Sequence, residues 1–231
     1  MLKILVLQKF HGLSDDETEF QILDRFSFQR FVGLDVGDDV PDAKTIWLFK
    51  ERLGAEGIKV LFDHLDETIR KRGLIGKAGN IVDASFIEAP KQRNKREDND
   101  LIKDGKRPEA FDENPNVGEQ KDTDARWTKK NDETHFGYKN HTKVDAASKL
   151  IVAWEVTAAS VHDSQALEGL VAEGDVTLYA DSAYKSDEID KILVNKKIEN
   201  QIHERGYRGH PLSEAQKALN RLKSRIRARV E

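Results

Sequence analysis

The chain has 231 residues, 38% of them hydrophobic and 35% charged, with a net charge of −4 and no cysteine. That length and apolar content can bury one substantial core and a small accessory domain, while the lack of thiols excludes disulfides and thiolate metal sites and points to a reducing cytoplasm. No apolar run approaches the roughly 20 residues of a membrane-spanning helix, and no signal-peptide pattern opens the chain.

Residues 1–75 read as a helical N-terminal domain. Met1-Leu-Lys-Ile-Leu-Val-Leu-Gln8 turns polar too quickly for a signal sequence and predicts an amphipathic helix that packs inward. Ser14 with Glu17 makes a capping box ahead of Phe20, Ile22 and Leu23. Asp42 stands where it can cap a helix from Lys44 to Leu53. On that helix Trp47 and Phe49 are expected to pack against its neighbours, leaving Lys44, Lys50 and Arg52 for DNA. Ile58, Leu61, Phe62, Leu65 and Ile69 recur at helical spacing until Gly73.

From Asn80 the period changes. Asn80 to Ile87 predicts a strand, and the charged stretch at about 91–134 predicts a flexible insertion in a second domain spanning 78–231. His135 to Asp145 and Leu150 to Thr157 predict two strands joined by a tight turn. A short helix from Ser164 follows, with Asp163 as its N-cap. Then come a strand from Val176 to Asp181, a helix from Asp187 to Lys196, a short strand near Asn200 to His203, and a closing helix from Ser213. Strands in succession followed by alternating helices and strands predict an α/β fold, a mixed five-stranded sheet flanked by helices.

The net charge hides an asymmetry. The first forty-odd residues are acidic, whereas Lys217 to Arg229 carries only basic charge, the distribution expected of a nucleic-acid contact. Against that background three acids stand out. Asp83 and Asp181 end apolar strands, and Glu231 ends the basic closing helix. Any one of them alone reads as a turn or cap residue. Together they are the set a two-magnesium phosphoryl-transfer site needs, because Mg2+ prefers carboxylate oxygen and keeps positions open for water and phosphate.

On the closing helix Asn220, Ser224 and Arg227 share the face of Glu231, with Leu219, Leu222, Ile226 and Val230 as the packing stripe opposite. Arg225, Arg227 and Arg229 are either a solvated face or a clamp on DNA phosphates, and the acids nearby favour the clamp. Lys139 and His141 share one face of their strand. They point either toward DNA or, for His141, into the core. Trp127, Lys129 and Lys130 either grip DNA or anchor the insertion locally.

The order of these motifs resembles the DDE transposases of bacterial insertion sequences, specifically the insertion sequence 5 group. The resemblance runs through Pro41-Asp-Ala-Lys-Thr-Ile-Trp-Leu-Phe49, Val82-Asp-Ala-Ser85, Lys121 to Lys130 and His135-Phe-Gly-Tyr-Lys-Asn-His141. It continues through Ala159-Ser-Val-His-Asp-Ser-Gln165, Ala180-Asp-Ser-Ala-Tyr184, Ile202-His-Glu-Arg-Gly206 and Arg229-Val-Glu231. It implies an RNase H-like core, two Mg2+ ions that Mn2+ can replace, and Asp83, Asp181 and Glu231 as catalytic metal ligands. It implies DNA as partner, both the terminal repeats of an element and a target, met by a homodimer in the bacterial cytoplasm. Where relatives often carry a tyrosine ahead of the signature arginine, this chain has Ser224. With Glu231 at a helix end, beside the negative end of the helix dipole, the chain is expected to bind DNA and cleave weakly. A nuclease of the same core and a non-catalytic DNA-binding remnant are the two rival readings.

Overall fold

The computed structural model describes residues 1–76, 78–130 and 132–228, which divide into two units, Met1–Lys71 and the chain from Arg72 onward. The first unit holds α1 (Leu2–His11), α2 (Asp15–Asp24), α3 (Phe26–Val32) and α4 (Ala43–Lys71). Its helix starts follow from the sequence. The Ser14 hydroxyl accepts the Glu17 amide at 3.1 Å and the Glu17 carboxylate accepts the Ser14 amide at 3.0 Å, closing the capping box. Asp42 accepts the Thr45 amide at 2.7 Å. At Gly54 the backbone turns to φ 56, ψ −175, which splits α4 into two helical halves. Ile4, Leu5, Ile22 and Ile46 form the core, with Phe28, Phe49 and Leu53 packed on it. Trp47, expected to pack, is half-exposed. Lys50, expected to face DNA, spans from α4 to Asp15 of α2 at 2.7 Å.

The second unit opens with β1 (Asn80–Glu88), whose first three residues are buried on both faces, as a central strand requires. Next come α5 (Arg96–Lys103), α6 (Glu109–Glu113), α7 (Pro115–Gly118), β2 (Arg126–Lys130), β3 (Glu133–Asp145) and β4 (Ile151–Ala158). The chain then continues through α8 (Asp163–Leu170), β5 (Thr177–Tyr179), a 3-10 turn (Ser182–Tyr184), α9 (Asp187–Asn195), β6 (Glu199–Asn200) and α10 (Glu214–Arg227). The sheet order is β2-β3-β1-β5-β6, with β4 also paired to β3. β1, β2 and β4 run antiparallel to β3, whereas β5 is parallel to both β1 and β6. The expected mixed α/β sheet is present, with β2 added to the five strands read from sequence.

Within the polar stretch 91–134 the structure has three short helices and β2, where the sequence showed no period. Each short helix buries little: Ile102 from α5 and Phe111 from α6, with Ala125 just before β2. With one apolar anchor in α5, one in α6 and only Gly118 buried in α7, no repeating pattern is left to read. Tyr138 of β3 ties the stretch to the sheet by donating its hydroxyl to Asp122 at 2.6 Å.

The main core lies on one sheet face, where Val82, Leu178, Ala180 and Tyr184 meet Leu167 and Leu170 of α8 and Ile189 and Leu193 of α9. Gly137 marks the end of the β1–β3 pairing at φ 145, where an added Cβ would lie 2.1 Å from the Ile87 carbonyl oxygen. Gly137→Ala is therefore expected to cost about 1–3 kcal/mol through backbone strain, read as a lowered thermal transition. An unchanged transition would mean that this end of the sheet relaxes freely.

The closing helix differs from expectation in the face it buries. Leu219 and Leu222 are 51% and 55% exposed, while Asn220, Lys223, Ser224 and Arg227 are partly buried; of the expected stripe Ile226 is partly buried too. Val230 lies outside the described residues. The reason is what α10 meets. Asn220 accepts the Glu204 amide at 2.9 Å and donates to the Glu204 carbonyl at 3.0 Å, and Lys223 donates to the Ile202 carbonyl at 2.9 Å. The backbone that follows β6 needs polar partners, so α10 docks through its polar stripe.

Candidate active site

Asp83 follows three buried residues of β1, and its side chain is 38% exposed. β1 and β5 pair in parallel at Asn80 with Leu178 and at Ile81 with Tyr179. Carried two residues further, that register sets Asp83 beside Asp181 with both side chains on one face, because strand side chains alternate with period two. It is the face opposite the Val82 and Ala180 core. Asp181 leaves β5 as the N-cap of the 3-10 turn, accepting the Ala183 amide at 2.8 Å. From α10 the Arg227 guanidinium, only 11% exposed, reaches to 3.4 Å from the Asp83 carboxylate. The structure thus sets Arg227 against Asp83, and the strand register directs Asp181 to the same face. Next to Arg227 on the inner face, Ser224 meets His203 at 3.4 Å.

The electrostatics of Tyr184 report the same gathering of charge. Burial pushes its phenol above the usual tyrosine range. The carboxylates of Asp163, Asp83 and Asp181 push it the same way, and Arg227 opposes them.

The donor set fits a hard divalent cation. Mg2+ is commonly held by one or two carboxylates, with its remaining positions filled by water and substrate phosphate. Asp83 and Asp181 supply two carboxylates on one partly open face, and Arg227 already sets a positive charge against one of them. Among the described residues no group of three His, Cys, Asp or Glu side chains is close enough to hold a metal ion. Glu231, the expected third ligand, and Arg229 lie outside the described residues.

The expected DNA-contacting residues separate into two groups. Lys129, Lys130 and Arg225 are exposed, with Lys129 paired to Asp132 at 2.8 Å and Lys130 lying 5.7 Å above the Phe86 ring. Lys139 and His141 turn inward. Lys139 donates to Asp163 and to the Val161 carbonyl, both at 2.8 Å, and its side chain is 12% exposed. His141 is fully buried, 3.1 Å from the Tyr184 hydroxyl and 3.0 Å from that of Thr157. Burial holds its imidazole below the usual range, with nearby Asp163 opposing and Lys139 reinforcing the shift. As placed, neither side chain presents a group to DNA.

The sequence reading also gave Asp163 the N-cap of α8. In the structure His162 is the cap, accepting the Ser164 amide at 3.3 Å, and Asp163 is released to pair with Lys139. Tyr184 and Thr157 were not anticipated. Tyr184 closes the motif Ala180-Asp-Ser-Ala-Tyr184, one turn past Asp181, but nothing there indicates a buried hydroxyl, and Thr157 stands only at the end of an expected strand.

Two family models match the chain. One, described as "Transposase DDE domain", covers residues 75–231, more than half of the length. The other, described as "Transposase domain (DUF772)", covers residues 1–52.

Proposed function

The chain belongs to the transposase DDE domain family, and from that premise we propose the reaction and the residues that carry it. Membership makes it a transposase, an enzyme of the polynucleotidyl transferase and nuclease class, with DNA as its partner and a divalent metal as the family's general requirement. Our reading is that it binds the ends of an insertion sequence, cuts them and joins them to a target. The motif order favours the insertion sequence 5 group.

One observation supports the site above the others. Arg227 of α10 lies against Asp83 of β1, and the parallel β1–β5 register, carried two residues past its last pair, sets Asp181 on the same face as Asp83. In this reading Asp83 and Asp181, joined by Glu231, hold Mg2+, for which Mn2+ can substitute. When bound there, the metal would polarise the phosphate as a Lewis acid and lower the pKa of a coordinated water. Arg227 orients the Asp83 carboxylate and offers positive charge to the phosphate. Water attacks the phosphodiester at the element end and the P–O3′ bond breaks, leaving a 3′-hydroxyl and a 5′-phosphate. That hydroxyl then attacks a target phosphodiester and displaces the target's 3′-oxygen as a new 3′-hydroxyl. Arg225, Arg229, Lys129 and Lys130 hold phosphates along the duplex, whereas Lys139 and His141 act from inside the fold. Two ends must be processed together, so a homodimer on DNA is the working assembly.

The test is an assay of labelled element-end DNA with Mg2+, resolving bound, cut and joined species. Joined products support the transposase reading. Cutting without joining favours a nuclease, and binding alone favours a remnant. The basic surface has its own test. Arg225→Gln is expected to weaken binding to element-end and unrelated DNA alike, and to lower the slope of log affinity against log salt by about one. An unchanged slope would make Arg225 a solvated side chain.

A further inference from the structure

The sheet holds the backbone only as far as Ala180, whose carbonyl accepts the His203 amide at 3.1 Å. β5 is three residues long, it is registered to β1 at only two positions, and Asp181 lies beyond the last of them. Something else must set its carboxylate against Asp83, since a reacting geometry tolerates little misplacement.

The 3-10 turn after Asp181 supplies a rigid connection. The Tyr184 amide donates to the Asp181 carbonyl at 3.2 Å, and the Ala183 amide holds the Asp181 carboxylate. At the far end of the turn the Tyr184 ring is fully buried in the core with Val82, Leu167 and Leu178. Its hydroxyl meets His141 Nδ1 at 3.1 Å. His141 stands on β3 opposite Ala84 of β1, one residue from Asp83, and its Nε2 meets the Thr157 hydroxyl on β4 at 3.0 Å. A protonated phenol donating to Nδ1 leaves the imidazole proton on Nε2 for Thr157. The hydrogen-bonded line from Thr157 through His141 to Tyr184 therefore runs from β4 and β3, behind β1, to the turn that carries Asp181. It lies on the sheet face opposite the acids, so these side chains touch neither DNA nor metal.

We propose that His141 and Tyr184 are positioning residues that set the Asp181 carboxylate for metal binding, a role that rests on the two-aspartate reading above. Partners of this kind, one layer behind the ligands, are typically worth about 10- to 100-fold in metal affinity.

The experiment is a calorimetric Mn2+ titration of the full chain, with a metal-free thermal melt of every variant. Wild type is expected to bind Mn2+, and Asp181→Asn to lose most of that binding. Tyr184→Phe, which keeps the buried ring and removes only the hydroxyl, is expected to weaken Mn2+ by about 10-fold with a retained melting transition. His141→Leu should do the same, and His141→Asn, whose amide can stand near the Nδ1 position, should recover part of the affinity. Wild-type affinity in both Tyr184→Phe and His141→Leu would overturn the positioning role while leaving the metal site intact. Affinity lost only together with the melting transition would also overturn it, since the pair would then merely hold the core. Mn2+ binding indifferent to Asp181→Asn would instead refute the two-aspartate reading, and the positioning role with it.

Discussion

Asp83→Ala and Asp181→Ala are each expected to reduce metal-dependent cleavage of element-end DNA by on the order of 1,000-fold or more, to the background of the assay. Phosphoryl transfer gives a protein little covalent work. Its contribution is to hold charge and geometry around the phosphate, so on the proposed reading the loss of either carboxylate removes most of what the site provides. DNA binding should survive in both variants. The acids repel phosphates, and their removal takes away no contact from Arg225, Lys129 or Lys130, which are exposed elsewhere. A gel-shift titration run beside the cleavage assay separates the two effects. A variant that cuts at the wild-type rate would remove that aspartate from the site, and one that loses binding would point to a folding defect.

The largest expected effect on stability lies away from the acids. Lys143 is 3% exposed on β3, and its ammonium donates to the Asp175 carboxylate at 2.9 Å. Asn80 of β1 donates to the same carboxylate at 2.9 Å, and the Ala172 amide does so at 3.0 Å. Asp175 thus joins β1, β3 and the loop before β5. Asp175→Ala leaves a buried ammonium without its counter-charge, which is expected to cost about 3–5 kcal/mol. For a chain of this size that lowers the melting temperature by on the order of 10 °C. The double change Lys143→Met with Asp175→Leu should recover much of the loss, because a buried ion pair is often replaceable by apolar side chains of similar volume. Calorimetry on the three variants decides it. A single-variant loss below about 1 kcal/mol would mean that water or a rearranged partner reaches Lys143.

The elements with strong periods were legible. The change of period at Asn80 marked β1, β3 and β4 followed as strands, cap residues marked the starts of α2 and α4, and apolar spacing marked the second half of α4. The short helices α5 to α7 and strand β2 escaped because each buries too little to leave a period. Residues were harder to assign than elements. Lys139 and His141 were read correctly as sharing a face of β3, yet a single strand carries no information about what covers that face. In the fold α8 and the 3-10 turn cover it; Lys139, expected at DNA, became an interior partner of Asp163, and His141, read as facing either DNA or the core, is the core partner of Tyr184. The closing helix failed in the same way. Leu219 and Leu222 made the obvious packing stripe, but the helix meets backbone groups of Ile202 and Glu204, which take hydrogen bonds from Asn220 and Lys223.

By itself, then, the sequence determined the alternation of strand and helix and the basic character of α10, whereas Asp83, expected at a strand end, lies within β1, and Asp181 lies just past β5 as the cap of the 3-10 turn. The alternation and the basic character depend on local spacing and on which residue types occur together. The tertiary structure decided which strands are neighbours, and hence that the two aspartates share a face with Arg227 beside one of them. It also decided that His141 and Tyr184 meet behind them, because contacts between residues far apart in the chain depend on how layers stack, and no local pattern encodes that.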